Sequence, residues 1–104
     1  MVADDTLNQG HALVTGDFLG TGSDQVAAGW REPTKDGRKT GIRLYVPATA
    51  DGERWKLHAT IDDNSMACED MKAADLNNDG KPDLVAAGRA TKNLIIYWNE
   101  TAKP

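Results

Sequence analysis

One stretch of the chain carries oxygen-bearing side chains at alternate positions, as the binding loop of a hard cation does. It reads Asp75-Leu-Asn-Asn-Asp-Gly80-Lys-Pro-Asp83. Ca²⁺ binds about six to eight oxygens, and a curled loop can supply them from side chains at alternate positions together with a backbone carbonyl. Gly80 stands where such a backbone has to turn sharply. The spacing therefore predicts a calcium site formed by Asp75, Asn77, Asp79, Lys81 (through its carbonyl) and Asp83.

The flanks of this loop indicate strands and not the paired helices of an EF-hand. An EF-hand ends in a bidentate Glu, and Ala86 stands at that position here. The alternative interpretation is a polar Asn-Asp-Gly hairpin turn that needs no ion. A plain turn does not require four spaced oxygen side chains, and three carboxylates repel one another unless a dication binds them. The cation interpretation is therefore favoured.

The chain contains an earlier copy of the same pattern, which is found when Asp17 is aligned with Asp75. The further matches are Asp4-Asp5 with Asp62-Asp63, Gly22 with Gly80, Ile42–Tyr45 with Leu94–Tyr97 and, after a gap of one residue, Asp24–Gly29 with Asp83–Gly88. Leu19 and Thr21 stand where the later copy has Asn77 and Asp79. We therefore expect the first loop, which this alignment makes one residue shorter, to bind no ion.

Both copies consist of short apolar runs separated by turn signals, with no helical period between them. The pattern predicts an all-β protein of antiparallel sheets. The predicted strands are 11–16, 25–30, 41–46 and 55–61 in the first copy, and 69–74, 83–88 and 93–98 in the second. A polar loop over 31–39 joins the second and third strands. The second copy has no equivalent of the 55–61 strand.

The repeat resembles the FG-GAP/VCBS family of β-propellers. Their core phrase is an apolar strand, then Asp-Phe/Leu-Asn-x-Asp-Gly-x-x-Asp, then a short apolar strand. Residues 74–88 fit this phrase closely, and residues 16–29 fit it in part. The resemblance implies two propeller blades, at about 1–61 and about 62–104, of which the second lacks its outer strand. Residues 10–12, 27–31 and 87–100 are most similar to the propellers of aldos-2-ulose dehydratases.

Two blades cannot close a propeller ring, which typically has about four to eight. Each blade has to bury its faces against neighbours, as repeat units do in general. We therefore expect the ring to be completed by oligomerisation of this chain, or by further blades of a longer protein.

Composition excludes several classes of partner. The chain of 104 residues has a net charge of −4 and no basic run, so a nucleic-acid partner is not expected. It has no apolar stretch of about twenty residues that could span a membrane, and residues 1–5 lack the features of a signal peptide. Calcium is abundant outside the cytoplasm, which favours a secreted or periplasmic protein. Cys68 is the only cysteine, and we expect it to be a small packed residue.

A second candidate site lies at the starts of the two inner strands, where the resemblance to propellers places His11, Glu69 and Asp70 at the central channel. These side chains could meet a ligand or a metal. The alternative is that His11 is an ordinary polar residue and that Glu69 and Asp70 are solvated. Carboxylates adjacent in a strand point to opposite faces, so Glu69 and Asp70 do not form an acid–base pair.

Two functional hypotheses follow. The first is a calcium-stabilised propeller module that binds a protein or a carbohydrate through its loops. The second is a fragment of a metal-dependent sugar lyase, in which His11 with Glu69 or Asp70 would hold a divalent metal. The tryptophans Trp30, Trp55 and Trp98 could stack on a sugar, although packing between blades is the interpretation that we favour.

Overall fold

A computed structural model of the chain describes residues 8–32 and 40–101. These residues form seven strands and no helix: β1 Asn8–Gly16, β2 Gln25–Glu32, β3 Gly41–Pro47, β4 Trp55–Asp63, β5 Cys68–Ala74, β6 Asp83–Gly88 and β7 Asn93–Tyr97. All seven predicted strands are confirmed, with ends that differ by three residues or fewer. Asp4, Asp5 and most of the predicted 31–39 loop lie outside the described residues. In the described part of the chain, no helix is present that could cross a membrane.

The strands form two antiparallel sheets in which neighbours in sequence are neighbours in space. The first sheet has the order β1-β2-β3-β4, and the second has the order β5-β6-β7. Each sheet is a meander, because every strand pairs in antiparallel orientation with the next strand along the chain. The antiparallel all-β prediction is confirmed. The chain passes from the first sheet to the second between Asp63 and Cys68.

The pairing register shows that the two copies align without the predicted gap. Gly16 pairs with Gln25 and Ala74 pairs with Asp83, so the intervening loops 17–24 and 75–82 have the same length. Both inner strands also carry a register shift at the same place, around His11 in β1 and Glu69 in β5. The predicted one-residue gap is therefore wrong. Residues of β1 and β2 correspond to residues of β5 and β6 that lie 58 positions later in the chain.

The misleading signal was the phrase Val-Ala-Ala-Gly, which both copies contain. In the true register these letters are one residue out of phase, and a one-residue slip moves every side chain to the other face of a sheet. Ala27 of the first sheet and Ala86 of the second are both fully buried in the core that lies between the sheets. The phrase Val-Ala-Ala-Gly therefore lies on both sides of one core, and the two sheets direct opposite faces toward that core.

The core lies between the two sheets. The first sheet and its 17–24 loop contribute the buried residues Ala12, Phe18, Ala27, Ile42 and Leu44. The second sheet and the segment that precedes β5 contribute Met66, Cys68, Met71, Leu84 and Ala86. The inner strand β5 contacts β1 and β2 of the first sheet. Burial of this apolar area is the main force that joins the sheets.

The two sheets approach each other closely at Gly29 and Cys68. A Cβ atom added at Gly29 would lie 2.5 Å from the Cys68 Sγ atom, which is far inside van der Waals contact. Cys68 is fully buried, as expected of a packed residue. Burial raises the pKa of its thiol to about 11, so it is protonated and unreactive at neutral pH.

A polar contact joins the outer parts of the two sheets. The Tyr97 hydroxyl on β7 donates a hydrogen bond of 2.5 Å to Asp62 Oδ2 at the end of β4, and Asp62 Oδ1 accepts from the Ser65 N–H at 2.7 Å. Burial, followed by this bond to a carboxylate, raises the pKa of Tyr97 well above its ordinary value. Tyr97 therefore remains a donor throughout the physiological pH range.

Substitution of Gly29 by Ala is expected to destabilise the protein by about 1–3 kcal/mol, because the new methyl group would overpack the contact with Cys68. The matched control is Gly10→Ala in β1, where nothing lies within 4 Å of an added Cβ. Urea unfolding measures both variants. Equal stability of the two would contradict the close packing of the sheets at Gly29.

Substitution of Tyr97 by Phe is expected to lower the free energy of unfolding at pH 7 by about 1–2 kcal/mol, because a hydrogen bond to a charged acceptor is lost. The pKa of Tyr97 is raised in the folded state, so the wild type loses stability as the pH rises above 10, where unfolded tyrosine ionises. The Phe variant lacks this loss. Urea unfolding between pH 7 and 11 should show that the difference in free energy of unfolding between the wild type and Tyr97→Phe becomes smaller as the pH rises. A constant difference would contradict the hydrogen bond from Tyr97 to Asp62.

Candidate metal centre

The loop between β5 and β6 curls around the carboxylate of Asp75. Asp75 Oδ1 accepts from the Asp79 N–H at 3.1 Å, and Asp75 Oδ2 accepts from the Gly80 N–H at 2.8 Å. The turn uses left-handed backbone at Asn78 and Gly80, with φ values of 61° and 84°. Asn and Gly are the residues that adopt this conformation at least cost. The local sequence thus determines the curl.

Asp83 closes the loop from the first position of β6. Its side chain is 1% exposed, and its two oxygens accept from the Leu76 N–H at 3.0 Å and the Asn99 N–H at 2.8 Å. Two backbone donors fix the carboxylate and offset part of the cost of its burial. Asp83 is therefore held in one orientation before any ligand binds.

The three predicted aspartates of this loop are brought together. One carboxylate oxygen each of Asp75, Asp79 and Asp83 lies within 4.8 Å of the others, a spacing at which they could hold a metal ion. Asp79 Oδ1 accepts from the Lys81 N–H at 3.0 Å, and this bond is the main cause of the lowered pKa of Asp79. Asp79 is thus ionised at neutral pH, as a cation ligand has to be.

The remaining two predicted ligands lie beside the aspartates. In the amide orientation that gives both the oxygen and the nitrogen of Asn77 suitable hydrogen-bond partners, its nitrogen donates to Asp75 Oδ1 at 3.2 Å and to Asp79 Oδ1 at 3.0 Å. The Lys81 ammonium is 3.9 Å from Asp79 Oδ2 and donates to the Thr101 carbonyl at 3.0 Å. Positive hydrogens from both residues therefore face the carboxylates.

The loop of the first copy has the same backbone arrangement. Asp17 Oδ1 accepts from the Thr21 N–H at 2.9 Å, and Asp17 Oδ2 accepts from the Gly22 N–H at 2.7 Å. These bonds correspond to those that Asp75 makes with Asp79 and Gly80. The two loops therefore share one architecture, although only one of them gathers three carboxylates in the described residues.

Gln25 distinguishes the first loop from the second, because it occupies the place of Asp83. Its Nε2 atom donates to Asp17 Oδ1 at 3.0 Å, to Thr21 Oγ1 at 3.0 Å and to the Ser23 carbonyl at 2.6 Å. Its Oε1 atom accepts from the Leu19 N–H at 3.0 Å, and the side chain is 1% exposed. A buried amide nitrogen thus gathers the loop oxygens that a cation would gather.

The electrostatics of Asp17 agree with this arrangement. The Gln25 amide is the largest cause that lowers the pKa of Asp17 to about 2. Gln25 gives a physical reason for the expectation that the first loop takes no ion. Sequence reasoning missed this residue, since the incorrect gap placed exposed Asp24 opposite Asp83. An ungapped alignment would have found it.

The candidate channel residues His11 and Glu69 also meet in the structure. His11 Nδ1 lies 2.6 Å from the Glu69 carbonyl oxygen, and its Nε2 lies 3.9 Å from Glu69 Oε1. The Arg31 guanidinium, which sequence reasoning missed, donates to Glu69 Oε2 at 2.9 Å. Asp70 Oδ1 accepts a hydrogen bond from the N–H of Met71, the next residue of its own strand, at 2.9 Å. This cluster forms an ion pair between the two sheets.

Trp30 is buried, as expected of a packed residue. It is 1% exposed, and the Arg43 guanidinium lies 5.0 Å from the centre of its ring. Trp98 is half-exposed and borders a depression beside the metal loop, together with Asn77, Asp79, Lys81, Asn99 and Glu100. Trp98 is therefore the described tryptophan best placed for an external ligand at the metal loop.

Comparisons of the chain with models of protein families, with curated proteins and with solved structures find no match. The resemblance of the repeat to FG-GAP/VCBS propellers therefore stays a prediction. The acidic loop and its counterpart around Gln25 are the features from which a function can be argued.

Substitution of Gln25 by Asp is expected to give the first loop a dependence on calcium. The variant loses the amide donors and places a second carboxylate near Asp17, so its free energy of unfolding in chelator should fall by about 2–3 kcal/mol. Millimolar calcium should raise the stability of this variant by more than it raises that of the wild type, and so restore part of the loss. Gln25→Ala is the matched control, and calcium should raise its stability no more than it raises that of the wild type. Wild-type stability of Gln25→Asp in chelator would contradict the role assigned to the amide.

Proposed function

We propose that the chain is a pair of propeller blades stabilised by a calcium ion in the loop 75–83, and that it assembles with further blades to present a protein- or carbohydrate-binding surface. The observation that carries the proposal is the convergence of the Asp75, Asp79 and Asp83 oxygens within 4.8 Å. Three hard, anionic oxygens at this spacing suit Ca²⁺ better than a soft metal, which prefers sulfur or imidazole.

Calcium binding would require small changes in the loop. The Asn77 amide would turn over, so that its oxygen and not its nitrogen faces the ion. The Lys81 carbonyl would supply a further oxygen, as in other calcium loops of this spacing. The buried Asp83 needs no movement, because the Leu76 and Asn99 N–H groups already orient its carboxylate. Part of the site is therefore preorganised.

The exposed face of the second sheet supports assembly with further blades. In the shared register, Ile42 and Leu44 of β3 correspond to Leu94 and Ile96 of β7. Ile42 and Leu44 are buried between the sheets, whereas Leu94 is 70% exposed and Ile96 is 43% exposed. An apolar sheet face of this kind is typical of an unfilled interface between repeats. Copies of this chain or further blades of a longer protein could cover it.

The alternative function, a fragment of a metal-dependent sugar lyase, is less well supported. It would need His11 with Glu69 or Asp70 to hold a divalent metal. The Glu69 carboxylate forms an ion pair with Arg31, and the Asp70 carboxylate accepts from the backbone of its own strand. These contacts favour a structural role for the cluster. A secreted or periplasmic location, where calcium is plentiful, fits the calcium-stabilised module.

Isothermal titration calorimetry is expected to show one calcium ion bound per chain. Asp79→Asn should weaken the affinity at least tenfold, because it removes one of the three charges that attract the ion. Asp24→Asn, in the first loop, is the matched control and should bind calcium like the wild type. At a free calcium concentration of about 100 times Kd, the stability should rise by about 2.7 kcal/mol.

Two results would overturn the calcium proposal. One is the absence of both a binding heat and a shift in Tm when millimolar calcium is added to the wild type. The other is an equal loss of affinity in Asp79→Asn and Asp24→Asn, which would show that net charge and not the loop attracts the ion.

A further inference from the structure

The strand β7 has an open edge. It pairs with β6 and with no other described strand. Its counterpart in the first sheet, β3, pairs with β2 on one side and with β4 on the other. An unpaired edge leaves a row of backbone N–H and C=O groups available to another polypeptide strand.

A cavity of about 300 Å³ adjoins this edge between the two sheets. Phe18, Leu44 and Leu84 provide apolar surface, and Ala59 and Ile61 of β4 form the opposite side. Tyr97, Trp98 and Glu100 line it from the side of β7. The cavity is thus bounded by the strand that has an open edge and by β4, the strand that has no counterpart in the second sheet.

The pairing of β3 with β4 shows which side chain of an added strand would reach the cavity. Tyr45 of β3 pairs with Leu57 of β4, and Tyr97 occupies the position of Tyr45 in the second sheet. Directly paired residues of antiparallel strands point to the same face. A strand added to β7 in this register would therefore place a residue equivalent to Leu57 beside Tyr97, which lines the cavity.

The next pair in the register adds a charge. Val46 of β3 pairs with Lys56 of β4, and Trp98 follows β7 at the position of Val46. A lysine on the added strand would therefore lie opposite Trp98 and near Glu100. Both an aromatic face and a carboxylate attract an ammonium group.

We propose that the β7 edge is a binding site for an extended polypeptide strand that carries a Lys-Leu pair, with the leucine opposite Tyr97 and the lysine opposite Trp98. Main-chain hydrogen bonds to β7 supply affinity, and the cavity selects the apolar residue, as in other cases of strand addition. The site specifies the partner in the assembly proposed above. It rests on the two-sheet architecture and not on the calcium ion.

The test uses a synthetic peptide with the sequence of residues 55–63, Trp-Lys-Leu-His-Ala-Thr-Ile-Asp-Asp, added to the full chain in saturating calcium. Hydrogen exchange of the β7 amides should slow at least fivefold on addition of the peptide. The control peptide carries Asp in place of its leucine, and its affinity should be at least tenfold weaker. Calorimetry measures both affinities.

A variant of the protein tests the cavity separately. Ala59→Phe fills the cavity from β4 and should weaken peptide binding at least tenfold. Leu13→Phe is the matched control, because Leu13 is 67% exposed and does not line the cavity. If circular dichroism shows that Ala59→Phe is unfolded, the comparison of the two peptides still decides the question.

Three outcomes would overturn the proposal. The first is no binding at millimolar peptide, and the second is equal affinity of the two peptides. The third is protection of the β7 amides from hydrogen exchange that increases with protein concentration and does not change when the peptide is added. The last would assign the edge to a second copy of the chain. Calcium uptake is measured on the peptide-free protein, so the two proposals can fail independently. Peptide binding without calcium uptake would leave this inference standing.

Discussion

Both repeats depend on one constraint, which is that several oxygen atoms have to converge inside a tight loop between two neighbouring strands. The oxygens repel one another unless a positive group lies among them. In the first loop the partly positive amide hydrogens of Gln25 take this place, and the Nε2 atom lies within hydrogen-bond distance of three oxygens. In the second loop Asp83 stands at that position and adds a carboxylate to the cluster. The two loops therefore share one backbone architecture but differ in electrostatics, because the first contains a buried amide where the second gathers three carboxylates that could hold a metal ion.

The loops matter for the whole fold because they join the strands that form the core. Asp83 and Gln25 are the first residues of β6 and β2, and each is 1% exposed. Their positions set the register of the hairpins that carry Ala27 and Ala86 into the space between the sheets. Loss of the hydrogen bonds that Gln25 or Asp83 makes in its loop would therefore disturb the packing beyond it.

Much of the architecture could be predicted from the sequence. Apolar runs bounded by turn residues located all seven strands, because the alternation of side chains and the turn chemistry are local properties. The spacing of acidic residues likewise identified the aspartates that converge. The roles of Gln25 and Arg31 could not be predicted, since each depends on groups that the fold brings together. The partners of Arg31 and Tyr97 lie on the other sheet, at sequence separations that no local pattern encodes.

The sequence by itself determined the strands, the turns and the oxygen-rich loop, because each depends on residues within a few positions of one another. Only the tertiary structure decided the phase of the repeat, the pairing of Asp62 with Tyr97 and the cavity beside the open edge of β7. These features depend on which faces of the two sheets meet. Two stretches with nearly the same letters can present opposite faces, and a shift of one residue in pairing, which a gapped alignment conceals, decides between them.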